Sequence, residues 1–231
     1  MYEKYLIVAS KKDRAGINIT TQLSQFRANP LFSSMKNAPS FDFYLVEDEI
    51  IQTRSLDLTR INEYDFILFA SKHASEKGEK ALTVHAPGNF RDARLGGEAG
   101  KICKTSAMFQ KQIFEKMFKN AEKYHLRDYK ISMEATHHGP LIDKPCLFVE
   151  IGSTENEWRD SKAGFIIAKA ISETIEEFKE MIILEITEIM KDGKKALKLN
   201  NNFQEMDKSA LLNLLSVLNK VERFVFDAIG Y

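Results

Sequence analysis

Lys4-Tyr5-Leu6-Ile7-Val8-Ala9-Ser10, with the turn Lys11-Lys12-Asp13-Arg14 and the helical stretch 16–26 behind it, decides the fold class. The run is short and apolar, with β-branched Ile7 and Val8 at its centre, and describes a buried strand; a charged turn ends it, and a helix follows within a few residues. Apolar runs of the same kind recur at 41–46, 65–70, 81–85, 130–136, 145–151 and 181–188, each bounded by charged or turn residues. Longer amphipathic patterns lie between them. Residues 106–124 set Met108, Ile113, Phe114, Met117, Phe118 and Ala121 at three- and four-residue spacing, with Lys111, Lys116, Lys119 and Lys123 on the remaining surface. Residues 161–179 do the same with Phe165, Ile166, Ala168, Ile171, Ile175 and Phe178, and a third helix is predicted from an Asp207 N-cap through Leu211, Leu212, Leu215 and Leu218. Strands alternating with amphipathic helices predict an α/β fold with a mixed, mostly parallel sheet flanked by helices. No linker, repeat or low-complexity segment interrupts the chain, so residues 1–231 read as a single α/β domain, with 191–203 as a hairpin or surface excursion.

The composition bounds the function. At 231 residues the chain can bury a full core, and 44% hydrophobic with 29% charged residues is ordinary for a soluble globular protein. Thirty-three Lys and Arg against thirty-three Asp and Glu exclude a globally basic nucleic-acid coat and leave room only for a local basic face. No apolar run approaches the roughly 20 residues that span a bilayer. Tyr2-Glu3-Lys4 leads straight into the first strand without a signal-peptide pattern. Cys103 and Cys146 form no C-x-x-C pair, and free thiols in a cytoplasmic protein are expected.

Histidine placement carries most of the chemical information. Four of the five histidines, His73, His85, His137 and His138, fall beside predicted strand ends or in Gly/Pro turns, where α/β sheets collect ligands outside the carboxyl ends of strands. In Thr83-Val84-His85-Ala86-Pro87-Gly88-Asn89 a strand ends in His85, and the Pro87-Gly88 turn aims Asn89 and nearby backbone N–H groups at a cleft, which suits an oxyanion or a ribose hydroxyl. Glu134-Ala135-Thr136-His137-His138-Gly139-Pro140 compresses a carboxylate and two imidazoles into five residues. On an extended strand Glu134 and His138 share a side, either as zinc ligands or as an acid/base pair, and the spacing is not the helical H-E-x-x-H. Glu150 ends another apolar run, ahead of Gly152 and the hydroxyls of Ser153 and Thr154, which either cap the next helix or touch substrate. Trp158, the one tryptophan, is expected to pack. Charge is uneven: residues 72–123 hold eleven basic side chains against six acids, and Arg91, Arg94, Lys101 and Lys104, with Lys11, Lys12 and Arg14, are candidates for phosphate contact.

Four segments in series, Ser71-Lys72-His73-Ala74-Ser75, the 82–89 run, Met133 through Pro140, and Val149-Glu150-Ile151-Gly152-Ser153, resemble the archaeal and plant type of D-aminoacyl-tRNA deacylase in both order and spacing. The resemblance covers roughly residues 4–179. It implies zinc-dependent hydrolysis of the ester between a D-amino acid and the tRNA 3′ end, on a fold akin to the phosphorylase/hydrolase group. His85, Glu134, His138 and Asn89 are then expected to be catalytic; His73, Gly88, Ser153, Arg91, Arg94, Lys101 and Lys104 to bind substrate; and His85, Glu134, His137, His138 and Glu150 to supply Zn²⁺ ligands. The expected partner is a tRNA carrying a D-amino acid, with no membrane and no obligatory protein partner. One departure stands out. The Gly-Gly-His-Tyr-like segment that family members carry after the following helix has no counterpart, for there is no glycine between Gly164 and Gly193 and no histidine after His138. The alternative is therefore a non-catalytic or differently specific paralogue that keeps an aminoacyl-tRNA- or nucleotide-like pocket.

Overall fold

Tyr5, Leu6, Ile7, Val8 and Ala9 are all closed to solvent, so the continuous apolar run forms a strand covered on both faces, β1 (Lys4–Ser10). The computed structural model describes residues 2–28, 40–178, 187–191 and 194–198. Contacts group the chain into two compact units, residues 1–180 and 181–231. The first unit continues with α1 (Arg14–Ala28), β2 (Ser40–Val46), the single turn α2 (Leu58–Ile61), β3 (Phe66–His73), β4 (Ala81–His85) and α3 (Ala107–Lys123). It ends with β5 (Lys130–Met133), β6 (Cys146–Gly152), the short α4 (Glu155–Trp158) and α5 (Ser161–Glu177). In the second unit β7 (Thr187–Lys191) and β8 (Lys194–Lys198) pair antiparallel. The helix expected from Asp207 and residues 181–186 of the strand expected at 181–188 lie outside the described residues.

The six-stranded sheet runs in the order β2-β1-β3-β6-β4-β5. Neighbours pair parallel everywhere except at β6 and β4, which are antiparallel. The sheet is thus mixed and mostly parallel. Its two faces carry separate cores, as alternation along each strand demands. On one face Ile7, Leu68, Leu82, Val84, Leu147, Val149 and Ile151 pack against the buried stripes of α1, α3 and α5. On the other, Leu6, Val8, Ile67, Phe69 and Phe148 meet Val46, Ile50, Leu56, Ile61, Cys103 and Ile142 from loops and short elements.

Local chemistry sets the helix boundaries. The Ser106 hydroxyl accepts from Phe109 N–H at 3.2 Å and starts α3, which buries Phe109, Ile113, Met117 and Ala121. Asp160 accepts from Lys162 and Ala163 N–H to start α5, and Tyr129 O–H donates to its other oxygen at 2.9 Å. Where α1 and α5 cross, a Cβ added at Gly164 would lie 2.2 Å from Asn18 Oδ1 and would displace the Asn18 carboxamide from its hydrogen bonds to Trp158 O and Asp160 O. Trp158 packs on the helix-covered core and donates its indole N–H to His73 O at 3.1 Å. Among the described residues no helix is long and apolar enough to cross a membrane.

Candidate active site

The site grows from the sheet face opposite α1, α3 and α5. His85 pairs in register with Phe148 and Thr83 with Glu150, while Ser71 pairs with Glu150 and His73 with Gly152. Alternation therefore sends Thr83, His85, Phe148 and Glu150 to one side. Because β4 runs against β6, His85 at the end of β4 lies opposite the middle of β6. The carboxyl ends of β3 and β6 lie side by side, with His73 and Glu150 near them, whereas β4 ends over the body of the sheet, so the site spreads from that edge across one sheet face.

β5 stops at Met133, so strand parity does not reach His138, whose backbone takes the left-handed conformation (φ 45°). The expected pairing of Glu134 with His138 is accordingly replaced by two groups. Among the described residues, His85, His137 and His138 form one, and His73, Glu134 and Glu150 the other, each with ligand atoms within 4.8 Å of one another. Imidazole centroids lie 4.2 Å apart for His85 and His137, 4.9 Å for His85 and His138, and 4.5 Å for His137 and His138. Phe148 forms the floor, stacked 5.3 Å from His85 and edge-on 4.7 Å from His138.

All three imidazoles are oriented alike. His85 Nδ1 faces Ala86 O at 3.1 Å, His137 Nδ1 faces Ala135 O at 2.8 Å and His138 Nδ1 faces Gly139 O at 2.6 Å. A carbonyl only accepts, so each Nδ1 carries a proton and Nε2 is the ring atom left to meet a ligand. Buried His85 Nε2 has no hydrogen-bond partner, and its 3.6 Å separation from Glu150 Oε2 is too long to be one. Burial above all, with the neighbouring imidazoles, pushes His138 down to about 4 and keeps it neutral. Three imidazoles whose Nδ1 atoms are fixed by backbone carbonyls form a donor set that suits Zn²⁺.

In the second group His73 Nδ1 lies 3.4 Å from Glu134 Oε2 and 3.7 Å from Glu150 Oε2. The Glu134 and Glu150 carboxylates raise His73 to about 10, so it is an imidazolium at neutral pH. Burial by itself would raise both carboxyls, but the facing His73 imidazolium outweighs it and holds Glu134 and Glu150 below the usual carboxylate range. Thr83 Oγ1 donates to Glu150 Oε2 at 3.3 Å. Glu134 Oε2 is buried without a hydrogen bond.

A loop roofs the imidazoles. Gly88 N–H donates to His138 O at 2.7 Å, Cys103 N–H to Pro87 O at 3.0 Å and Asn89 N–H to Lys101 O at 2.8 Å. The Asn89 carboxamide donates to Gly96 O at 2.8 Å. The Gly88 and Asn89 N–H groups and the Asn89 carboxamide, expected to face an oxyanion, are committed to folding the loop. Gly88 (φ 152°) is needed because an added Cβ would lie 2.5 Å from Ile102 Cα. Ser153 Oγ likewise donates to Glu79 O at 2.6 Å, and Glu157 reaches back to Thr154 N–H at 3.0 Å as part of the helix cap. Beside His137 and His138 opens a cleft of about 620 Å³, lined also by Gly88, Asn89, Phe90, Arg91, Asp92, Arg94, Leu95 and Thr136. Arg91 and Arg94 thus reach the site. Lys101, ion-paired with Glu98, and Lys104 do not line the cleft, and Lys11 and Lys12 pair with Glu47 and Asp48.

Sequence reasoning missed Thr83, Phe148 and the loop side chains Phe90 and Leu95. Thr83 was accessible by alternation, two residues before His85 on one strand; Phe148 required the register of β4 on β6.

Residues 60–189 match the family model for D-aminoacyl-tRNA deacylase, a span that includes both ligand groups. The D-aminoacyl-tRNA deacylase of Caldivirga maquilingensis is 34% identical over 170 residues, 71% of this chain and 62% of that protein. That of Methanocaldococcus jannaschii is 34% identical over 183 residues, 76% of this chain and 65% of that protein. A crystallised conserved protein of unknown function superposes with a TM-score of 0.65 at 30% identity, covering 77% of this chain and 64% of its own. The chain spans a little under two thirds of the length of these relatives. With the family match covering more than half of its length, the chain belongs to the D-aminoacyl-tRNA deacylase family.

Proposed function

We propose that this chain hydrolyses the ester between a D-amino acid and the 3′ end of tRNA, with Zn²⁺ held by His85, His137 and His138. The observation that carries the proposal is the shared orientation of the three imidazoles, each Nδ1 on a backbone carbonyl and each Nε2 left for a ligand. Zinc in that position supplies Lewis acidity toward the ester carbonyl and hydroxide near neutral pH.

The chain's own groups supply the proton transfers. Glu134, ionised and with Oε2 facing the His73 imidazolium but making no hydrogen bond, takes a proton from the attacking water. It then returns that proton to the ribose oxygen as the ester bond breaks, leaving a free D-amino acid and a tRNA hydroxyl. His73, protonated at neutral pH, holds Glu134 and Glu150 in place, and Thr83 fixes Glu150 from the other side. Substrate enters through the cleft beside His137 and His138. The role is translation quality control on cytoplasmic aminoacyl-tRNA, and the two free, buried thiols Cys103 and Cys146 support a reducing compartment.

The test is release of tyrosine from D-tyrosyl-tRNA and L-tyrosyl-tRNA. The D-ester should be cleaved, chelator should stop cleavage and zinc should restore it. Zinc-loaded protein that leaves D-tyrosyl-tRNA intact would overturn the proposal in favour of a non-catalytic relative that keeps the pocket.

A further inference from the structure

We infer that Phe90 is the stacking platform for the terminal adenine of the tRNA 3′ end, with Arg91 and Arg94 gripping the phosphates that lead to it. The inference rests on the proposed deacylase function and adds the part of the substrate that the cleft reads.

Phe90 is 70% exposed and Leu95 59% exposed, although both lie on a loop tied down by hydrogen bonds. A single exposed apolar side chain is ordinary. Here the two line the same cleft as His137, His138, Arg91 and Arg94. The loop is anchored on both sides of Phe90: Gly88 N–H bonds His138 O, Asn89 bonds Lys101 O and Gly96 O, and Gly139 N–H bonds Leu95 O at 3.0 Å. An aromatic ring is thereby presented to solvent two residues from backbone fastened to a ligand histidine. With the ester carbon at the imidazoles, the ribose comes next and the base one sugar away, followed by phosphates running out along the cleft. Single-stranded nucleic acid is held by this combination of aromatic faces and cations. Among the described residues Arg91 has no acidic partner, and the Arg94–Asp92 pair (3.2 Å) is so exposed that a phosphate can exchange for the carboxylate.

The test uses uncharged, fluorescently labelled CpCpA and CpC, so that it does not depend on hydrolysis. Stacking worth about 1–3 kcal/mol per base corresponds to about 5- to 140-fold in affinity. Wild-type protein should bind CpCpA more tightly than CpC by a factor in that range. Phe90→Ala should shrink the difference to the share of the one additional phosphate and Phe90→Tyr should keep it, while Arg91→Ala with Arg94→Ala should weaken both oligonucleotides, CpCpA by the more. Equal wild-type affinity for the two, or a Phe90→Ala loss that is the same for both, would overturn the inference and assign Phe90 to the amino-acid side chain instead. Adenine-dependent binding by a protein that fails to cleave D-tyrosyl-tRNA would sink the deacylase function and leave the platform standing.

Discussion

If His85, His137 and His138 hold zinc in the folded chain, zinc must stabilise the fold, and the size of the effect follows from linkage. Free zinc at 100 times its Kd stabilises by about 2.7 kcal/mol when the unfolded chain does not bind it. For a unit of 180 residues, each kcal/mol moves the midpoint by ~2–4 °C. Zinc should therefore raise Tm by ~5–11 °C, read by circular dichroism with and without chelator. His85 is fully buried and stacked on Phe148, so His85→Ala lowers the baseline through the cavity it leaves. The diagnostic quantity is the zinc-dependent rise within each variant, which His85→Ala should lose. His125→Asn, which removes a histidine outside both ligand groups and suits the left-handed backbone there (φ 58°), should keep it in full. A wild-type midpoint indifferent to zinc, or a full rise surviving in His85→Ala, would refute the ligand assignment.

Other consequences can be read independently. For single strands each neutralised phosphate contributes about 0.7 to the slope of log affinity on log salt. Arg91→Ala with Arg94→Ala should therefore reduce the slope for uncharged tRNA by ~1.4, whereas Lys101→Ala with Lys104→Ala should leave it nearly unchanged; an equal effect of the lysine pair would contradict the placement of the cations. Thr83→Val removes the hydroxyl that orients Glu150 and keeps a β-branched strand residue. Deacylation should fall by about 10–100-fold with an unaltered far-ultraviolet spectrum, and full activity would show that the contact is idle. Asp65 accepts from Glu3 and Lys4 N–H at 2.9 Å each; burial opposes ionisation but these donors outweigh it, and the carboxyl sits below its usual range. Its contribution is complete above the unfolded value of about 3.9 and lost as pH falls through the lower folded value. Asp65→Asn should flatten the acid limb of a plot of urea midpoint against pH, and a limb as steep as the wild type would argue against it.

What the sequence determined was local. β1 and β4 have the boundaries that their apolar runs predict, and α3 and α5 follow their three- and four-residue spacing, because burial of one face dictates period within a single element. The four histidines beside predicted strand ends were equally legible as candidates. Their partnerships were not. Parity along 134–138 joins Glu134 to His138, yet β5 ends at Met133 and the chain turns through a left-handed residue, so Glu134 meets His73, some sixty residues earlier in sequence. The backbone N–H groups near Gly88 and the Asn89 carboxamide look free in the sequence and are consumed by carbonyls of residues 96, 101 and 138. Only the antiparallel seating of β4 on β6, which puts His85 over Phe148 and Thr83 over Glu150, brings the candidate ligands to one face of the sheet. Strand direction and register are set by pairing between segments far apart in the chain, and the periodicity within either segment is the same whichever way its neighbour runs.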